Sequence, residues 1–253
     1  MVHMPPLLLA PRKIARHLLV LAIVGGCVVA GFWQLSRLHW QNGFDARVAM
    51  RLPVPTVPLT SLIGRGSAPN PDAVTYRRVE VSGVYDPAHE TVLVARTLNE
   101  QNGNHVLTPL VLADGRAIVV DRGWVPFDLQ LPPIAQAGPP AGTVELTGVL
   151  FPSEVRESGS TVAPAGAVFT RIDLGRLGRQ LPYPIEPFYL WLTTQSPRQT
   201  GSLPQLAPLP DLTVSPPHLS YTIQWFLFAA IGIIGYPIVL RRELQRRRAG
   251  EST

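Results

Sequence analysis

Hydrophobic positions along this chain fall into two regimes. Two long uncharged runs lie near the ends, and the stretch between them alternates in short steps. The second run, Leu219 to Leu240, begins after His218 and closes on Arg241 and Arg242. As a helix it measures roughly 33 Å at about 1.5 Å per residue, enough to cross a hydrocarbon core about 30 Å thick. The first, Leu18 to Ser36, lies between His17 and Arg37. The pattern predicts an integral membrane protein with two transmembrane α-helices flanking an extracytoplasmic domain. Its expected parts are a tail over 1–17, spans over 18–36 and 218–240, the domain over 37–217 and a basic tail over 241–253.

Between the spans the period is two, not 3.6, and proline and glycine interrupt it often, which favours short strands and turns. Strands are expected at Arg77 to Tyr85, with a bend at Ser82-Gly83, and at Thr91 to Thr97. Further strands are expected at His105 to Leu112, Ala117 to Val125 after the Asp114-Gly115 turn, Val144 to Phe151, Ala167 to Ile172, and Phe188 to Thr194. They predict a mainly antiparallel β (α+β) domain, as a sheet or a partly closed barrel. Two helical pieces are expected outside the membrane: Trp33 to Met50, continuing the first span, and Asp173 to Gln180, with Asp173 as N-cap. Leu52 to Asp72 and Pro197 to Pro217 read as proline-rich linkers, the second a stiff strap leading to His218.

Charge then sets orientation. Arg12, Lys13 and Arg16 precede the first span, and Arg241, Arg242, Arg246, Arg247 and Arg248 follow the second. The positive-inside rule therefore places both termini in the cytoplasm of a multi-pass protein of the cell membrane. Without those eight cations and the tail acids Glu243 and Glu251, the 22 basic and 17 acidic residues of the chain reduce to 14 and 15. The net charge of +5 belongs to the tails. No nucleic-acid partner is expected, and the arginine tail suits anionic lipid headgroups.

The first run also competes with two processing signals. A secretory signal peptide would end at small residues, whereas this run continues into Trp33 and Arg37. Val24-Gly25-Gly26-Cys27 resembles a lipoprotein box, yet apolar residues continue past Cys27 through Trp33. A retained anchor is the expectation. Cys27 is the only cysteine, so no internal disulfide can form.

Enzymatic motifs are absent: no nucleophile elbow, phosphate loop, zinc-protease helix or covalent-haem Cys-x-x-Cys-His occurs. His89 and His105 read as solvated turn residues. Trp33, Arg37 and Trp40 share one helical face at the end of the first span. That face reads either as an aromatic belt with a snorkelling arginine or as a grip on an anionic group, a propionate or lipid phosphate. Ser215, with Pro216 and Pro217, can begin the second helix. His218, Thr222, Trp225, Ala229 and Gly232 then follow one face, with Tyr221 alongside, a surface able to contact a flat apolar cofactor or simply to hydrogen-bond headgroups. Small residues recur at helical steps: Ala22, Gly26 and Ala30 in the first span, and Ala229, Gly232 and Gly235 in the second before Pro237.

Several segments together resemble the surfeit-locus-one family of cytochrome c oxidase assembly factors. Trp33, Gln34 and Arg37 match its Trp-Gln-x-x-Arg exit from the first span. Arg78 to Tyr85 resembles its opening strand, and Gly103 with Thr108-Pro109 its following hairpin. Arg122-Gly123-Trp124-Val125-Pro126 is similar to its signature, and His218, Leu219, Tyr221, Trp225 and Phe226 to the start of its second span. Asp121, Pro217 and Thr222 depart from the family pattern, and 132–205 matches loosely. One lysine against twenty-one arginines suggests a GC-rich bacterial genome.

The resemblance implies a non-enzymatic membrane factor that matures haem-copper cytochrome c oxidase. Its expected action is to hold haem a transiently near the oxidase core subunit, with His218 as a contact or iron ligand and Tyr221, Trp225, Arg37 and Trp33 around it. The expected partners are the oxidase core subunits, the wider respiratory supercomplex and membrane lipids. Arg122 and Trp124 read as structural, the arginine bonding backbone carbonyls at a turn and the tryptophan filling core. Two other readings stand beside this one: a stable accessory or scaffolding subunit of the oxidase without a cofactor, and an outer-face membrane enzyme resting on a carboxylate or histidine of the sheet domain.

Overall fold

The structure is a computed structural model, and it describes residues 11–63, 70–154, 167–212 and 217–250, with side chains to Arg246. The chain divides into two units. One contains residues 11–46 and those from 212 onward; the other is Arg47–Asp211.

The first unit is a pair of helices, α1 (Pro11–Arg51) and α4 (His218–Gly250), both long and apolar enough to cross a membrane. They run antiparallel, because early residues of α1 meet late residues of α4. Arg16 donates to Glu243 at 3.0 Å, and His17 contacts Tyr236. Val24 lies where a Cβ on Gly232 would fall, and the Phe226 ring where one on Gly31 would fall. The contacting α1 residues His17, Val24, Gly31 and Gln34, with the buried Cys27 among them, are spaced in threes, fours and sevens, a left-handed seam. The small-residue stripe Ala22, Gly26 and Ala30 does not form this seam: Ala22 is exposed, and a Cβ on Gly26 would meet nothing. Outside the seam the pair is covered with exposed leucine, isoleucine and phenylalanine, including Leu21, Ile23, Phe32, Leu227 and Ile231.

In the second unit the strands are β1 (Val57–Pro58), β2 (Arg78–Tyr85), β3 (Thr91–Leu98), β4 (Gln101–Val111), β5 (Ala117–Pro126), β6 (Thr143–Pro152), β7 (Val168–Phe169) and β8 (Ile185–Ser196). The sheet order is β1-β2-β6-β8-β5-β4-β3-β7, and a further β2–β4 pairing joins the ring at Val84↔Val111 and Tyr85↔Leu110. Strands β2, β6, β8, β5 and β4 thus close a barrel whose only parallel neighbours are β5 and β8. Counted along the barrel alone, the order is 1-2-3-5-4-1, a Greek-key closure of the OB type. Such a fold assigns no ligand by itself.

The period-two pattern explains the closure. In β2 the even steps Val79, Val81 and Tyr85 are buried while Glu80, Ser82 and Val84 point out. They join Leu110, Ile118, Val120, Leu146, Leu150, Phe188 and Leu190 in one core. Gly83 marks the crossing, since a Cβ there would lie 2.5 Å from the Val111 carbonyl oxygen. Beyond the barrel, β3 and β4 form a hairpin whose turn residues Asn99 and Glu100 both take positive φ, 49° and 65°, as a type I′ turn requires. Asp173 caps α3 (Leu174–Gly178), accepting from the Arg176 amide at 2.9 Å.

Several boundaries differ from the sequence expectation. Strand β4 begins at Gln101 rather than His105, β7 is two residues long, and β8 is longer at both ends. The supposed linker 52–72 contains β1 and the start of α2 (Pro71–Val74), capped by Asn70. Leu59 and Ile63 from that stretch join the barrel core. Ser215 and Pro216, the expected cap of the second span, lie outside the described residues.

Candidate functional site

At one end of the helix pair, His218 opens α4 and meets Gln34 of α1. Its Nδ1 lies 2.9 Å from Gln34 Oε1. An amide oxygen only accepts, so the imidazole donates from Nδ1, and in its neutral form Nε2 carries the lone pair. Thr222 donates from Oγ1 to the His218 carbonyl at 2.8 Å, tying the first turn together. The face following His218 is not an open groove: Thr222 and Ala229 are buried, and Gly232 abuts Val24. The small residues expected beneath a flat cofactor are instead filled by α1.

The other predicted site residues lie around this end without joining it. Trp33 is 59% exposed and Tyr221 46%. Arg37 stacks over Trp40, its guanidinium carbon 5.4 Å from the ring centroid, and Trp40 stacks on Phe44. Trp225 is half-buried, edge-on to Phe228. No hydrogen bond or ring contact among the described residues links these four to His218. The position that motif matching overlooked as a site residue is Gln34. Its three-four spacing with Gly31 and Cys27 was the available signal.

The barrel holds a second set of buried polar groups. His105 and Asp121 are 3% and 2% exposed, with His105 Nδ1 donating to Asp121 Oδ2 at 2.8 Å. His105 is therefore not a solvated turn residue; it sits inside β4, edge-on to Trp191. His89 fits its expected position better, in a turn, where it donates to Asp86 at 2.7 Å. Tyr183 donates to the same Asp86 oxygen at 2.7 Å. Burial opposes ionisation of Asp86, but the Tyr183 and His89 bonds outweigh it and hold the carboxyl below its ordinary range.

The Arg-Gly-Trp signature has a mechanical explanation. Arg122 is buried and donates to Glu90 at 3.3 Å and to Gln199 at 2.9 Å, so its partners are side chains rather than the expected backbone carbonyls. Glu90 also accepts from the Thr108 hydroxyl and the Ile134 amide. Burial pushes Glu90 up and Arg122 down, and the opposite charge of each partner counters that push. Gly123, with φ +117°, lies so close to the Gln205 carbonyl oxygen that a Cβ would be 2.2 Å from it. Trp124 exchanges two 2.8 Å backbone bonds with Gln205, and its indole occupies the space that Gly103 leaves by lacking a Cβ. Trp191 adds a bond to the Ala207 carbonyl at 3.1 Å. The segment expected to be a free strap is thus fastened to the barrel at Gln199, Gln205 and Ala207. Trp124 is core, as expected.

These segments are shared with known proteins. The SURF1 family model matches residues 21–230, from within the first span to within the second. An uncharacterized SURF1-like protein of Mycobacterium tuberculosis is 30% identical over 248 residues, covering 95% of this chain and 88% of that one. A SURF1-like protein of Rickettsia bellii is 28% identical over 223 residues, 85% and 86% of the two chains. Surfeit locus protein 1 of Xenopus tropicalis is 29% identical over 143 residues, 50% and 45%. A match that runs from within one apolar helix to within the other and takes in every barrel strand, at this identity and coverage, makes the chain a member of the SURF1 family.

Proposed function

We propose that this protein is a membrane-anchored, non-enzymatic assembly factor for haem-copper cytochrome c oxidase, which holds haem a transiently at the His218 end of its helix pair. The reading carries over to this chain what the family resemblance implies. The observation that carries it is the bond of His218: an imidazole held through Nδ1 by Gln34, with no hydrogen bond at Nε2 among the described residues, half-buried where a helix pair covered in apolar side chains begins.

That donor set fits a haem iron, for which neutral imidazole nitrogen is a common axial ligand. Trp33, Tyr221 and Trp225 would offer apolar rings to the macrocycle, and Arg37 would meet a propionate. The haem supplies only its iron and its flat apolar surface; the protein's part is to bind, orient and release it. Two apolar helices would keep the site in the plane of the oxidase core subunits, with both termini cytoplasmic and the barrel outside. Purification after co-production with haem a synthesis is expected to yield bound haem, and His218→Ala to reduce it. Unchanged occupancy removes His218 from the site. Stoichiometric retention in the mature oxidase, without haem, would make the protein an accessory subunit instead.

A further inference from the structure

The helix pair contains two histidines in cross-helix hydrogen bonds, one to a hydroxyl and one to an amide oxygen. At one end His17 Nδ1 meets the Tyr236 hydroxyl, with Arg16 beside the phenol. A phenol oxygen can accept and its hydroxyl can donate, so this bond is compatible with either neutral tautomer of His17. At the other end the acceptor is an amide oxygen, and His218 must donate from Nδ1. The amide oxygen fixes the sense of the His218 bond, and in the neutral imidazole it leaves Nε2 as the Lewis base.

Gln34 sets the sense of the His218 bond from inside the helix seam. It lies three residues beyond Gly31, where the two helices touch closely enough that a Cβ would stand 2.9 Å from the Phe226 ring. Phe32 meets the same ring edge-on, with centroids 5.3 Å apart. This contact leaves the amide oxygen opposite the first residue of α4. An accepting group behind a histidine fixes its tautomer and ring direction and raises the basicity of the free nitrogen, the role outer-shell carbonyls and carboxylates play at metal centres.

We propose that Gln34 is the positioning residue of the site, holding His218 as an Nε2 ligand and setting how strongly that nitrogen donates to iron. The proposal rests on the haem reading above. Gln34 touches no ligand itself; it acts through His218.

The test uses the full-length protein in detergent, titrated with ferric haem b and followed by absorption, with the reduction potential of the bound haem measured in parallel. Gln34→Leu removes the acceptor, Gln34→Glu strengthens it and His218→Ala removes the ligand. About 10-fold weaker haem binding and a raised potential are expected for Gln34→Leu. Gln34→Glu is expected to keep wild-type affinity and lower the potential, because a carboxylate makes the imidazole richer in electrons. Should Gln34→Leu not fold, the potential of Gln34→Glu decides alone. A potential equal to wild type in Gln34→Glu, with haem lost in His218→Ala, overturns the positioning role and leaves the haem reading standing. Wild-type protein that binds no haem, or binding that His218→Ala leaves unchanged, overturns the haem reading and this inference with it.

Discussion

The helix pair and the barrel bury opposite things. In the barrel, apolar side chains such as Phe188, Leu190 and Leu150 are turned inward, and Glu80 and Ser82 of β2 point out. In the helix pair the large apolar residues point out, and the inward seam holds glycine, alanine, cysteine and hydrogen-bonded polar groups. One hydrophobic effect gives both arrangements if the helix pair lies in a membrane, as its length and composition suggest. Where the medium is as oily as the side chain, burying leucine contributes little to holding helices together. Close backbone approach and polar clamps do that instead.

The largest break in this contrast should come from the barrel's buried ion pair. Glu90→Ala leaves Arg122 charged and enclosed and deprives Thr108 and the Ile134 amide of their acceptor. A loss of about 3–5 kcal/mol is expected in denaturant unfolding followed by tryptophan fluorescence. Replacing Glu90 and Arg122 together by apolar residues of similar volume should cost far less, because no lone charge remains. If the single and double variants are equally destabilised, the pair is not the reason.

A matched pair of truncations sharpens the comparison next. Leu190→Ala removes a fully buried barrel side chain and should cost about 2–5 kcal/mol. Ile231→Ala, on the exposed face of α4, should change unfolding in detergent by less than about 0.5 kcal/mol. Comparable losses at both positions would mean that the outward face of α4 packs against protein rather than solvent or lipid.

A smaller effect is expected at the fastened strap. Gly123→Ala places a Cβ on the Gln205 carbonyl oxygen at a backbone angle that disfavours side chains. It should cost about 1–3 kcal/mol and speed proteolysis within 197–211. Unchanged cleavage would show that the Trp124–Gln205 pairing survives without glycine.

The smallest effect is a pH dependence confined to the barrel unit. The folded Asp86 carboxyl lies below its ordinary range, so its contribution to stability is complete above that range and disappears as pH falls through the lower folded value. Melting temperatures between about pH 5 and pH 3 should fall less steeply in Asp86→Asn than in wild type. An identical acid slope would assign the loss to other carboxylates.

The sequence by itself determined the two apolar helices, the alternating strands between them and several local devices. The Asp114-Gly115 turn and the Asp173 cap were legible, because each depends on neighbours within a few residues. Its motifs also pointed to the family. The tertiary structure alone decided what those motifs touch. No local rule says that Arg122 reaches Glu90, that Gly123 and Trp124 receive Gln205, or that His105 is closed in against Asp121. Each joins residues at least 16 positions apart, and strand pairing or the docking of the strap brings them together.

The same holds at the helix pair. The face of α4 that read as a cofactor groove proved to be the seam, since small residues that admit a flat ligand admit a helix equally well. Gln34 and His218 are 184 positions apart. Helical periodicity put each on a face of its own helix. Only the antiparallel packing of those faces, set by the close approach of Gly31 to Phe226 and of Gly232 to Val24, placed an amide oxygen against an imidazole nitrogen.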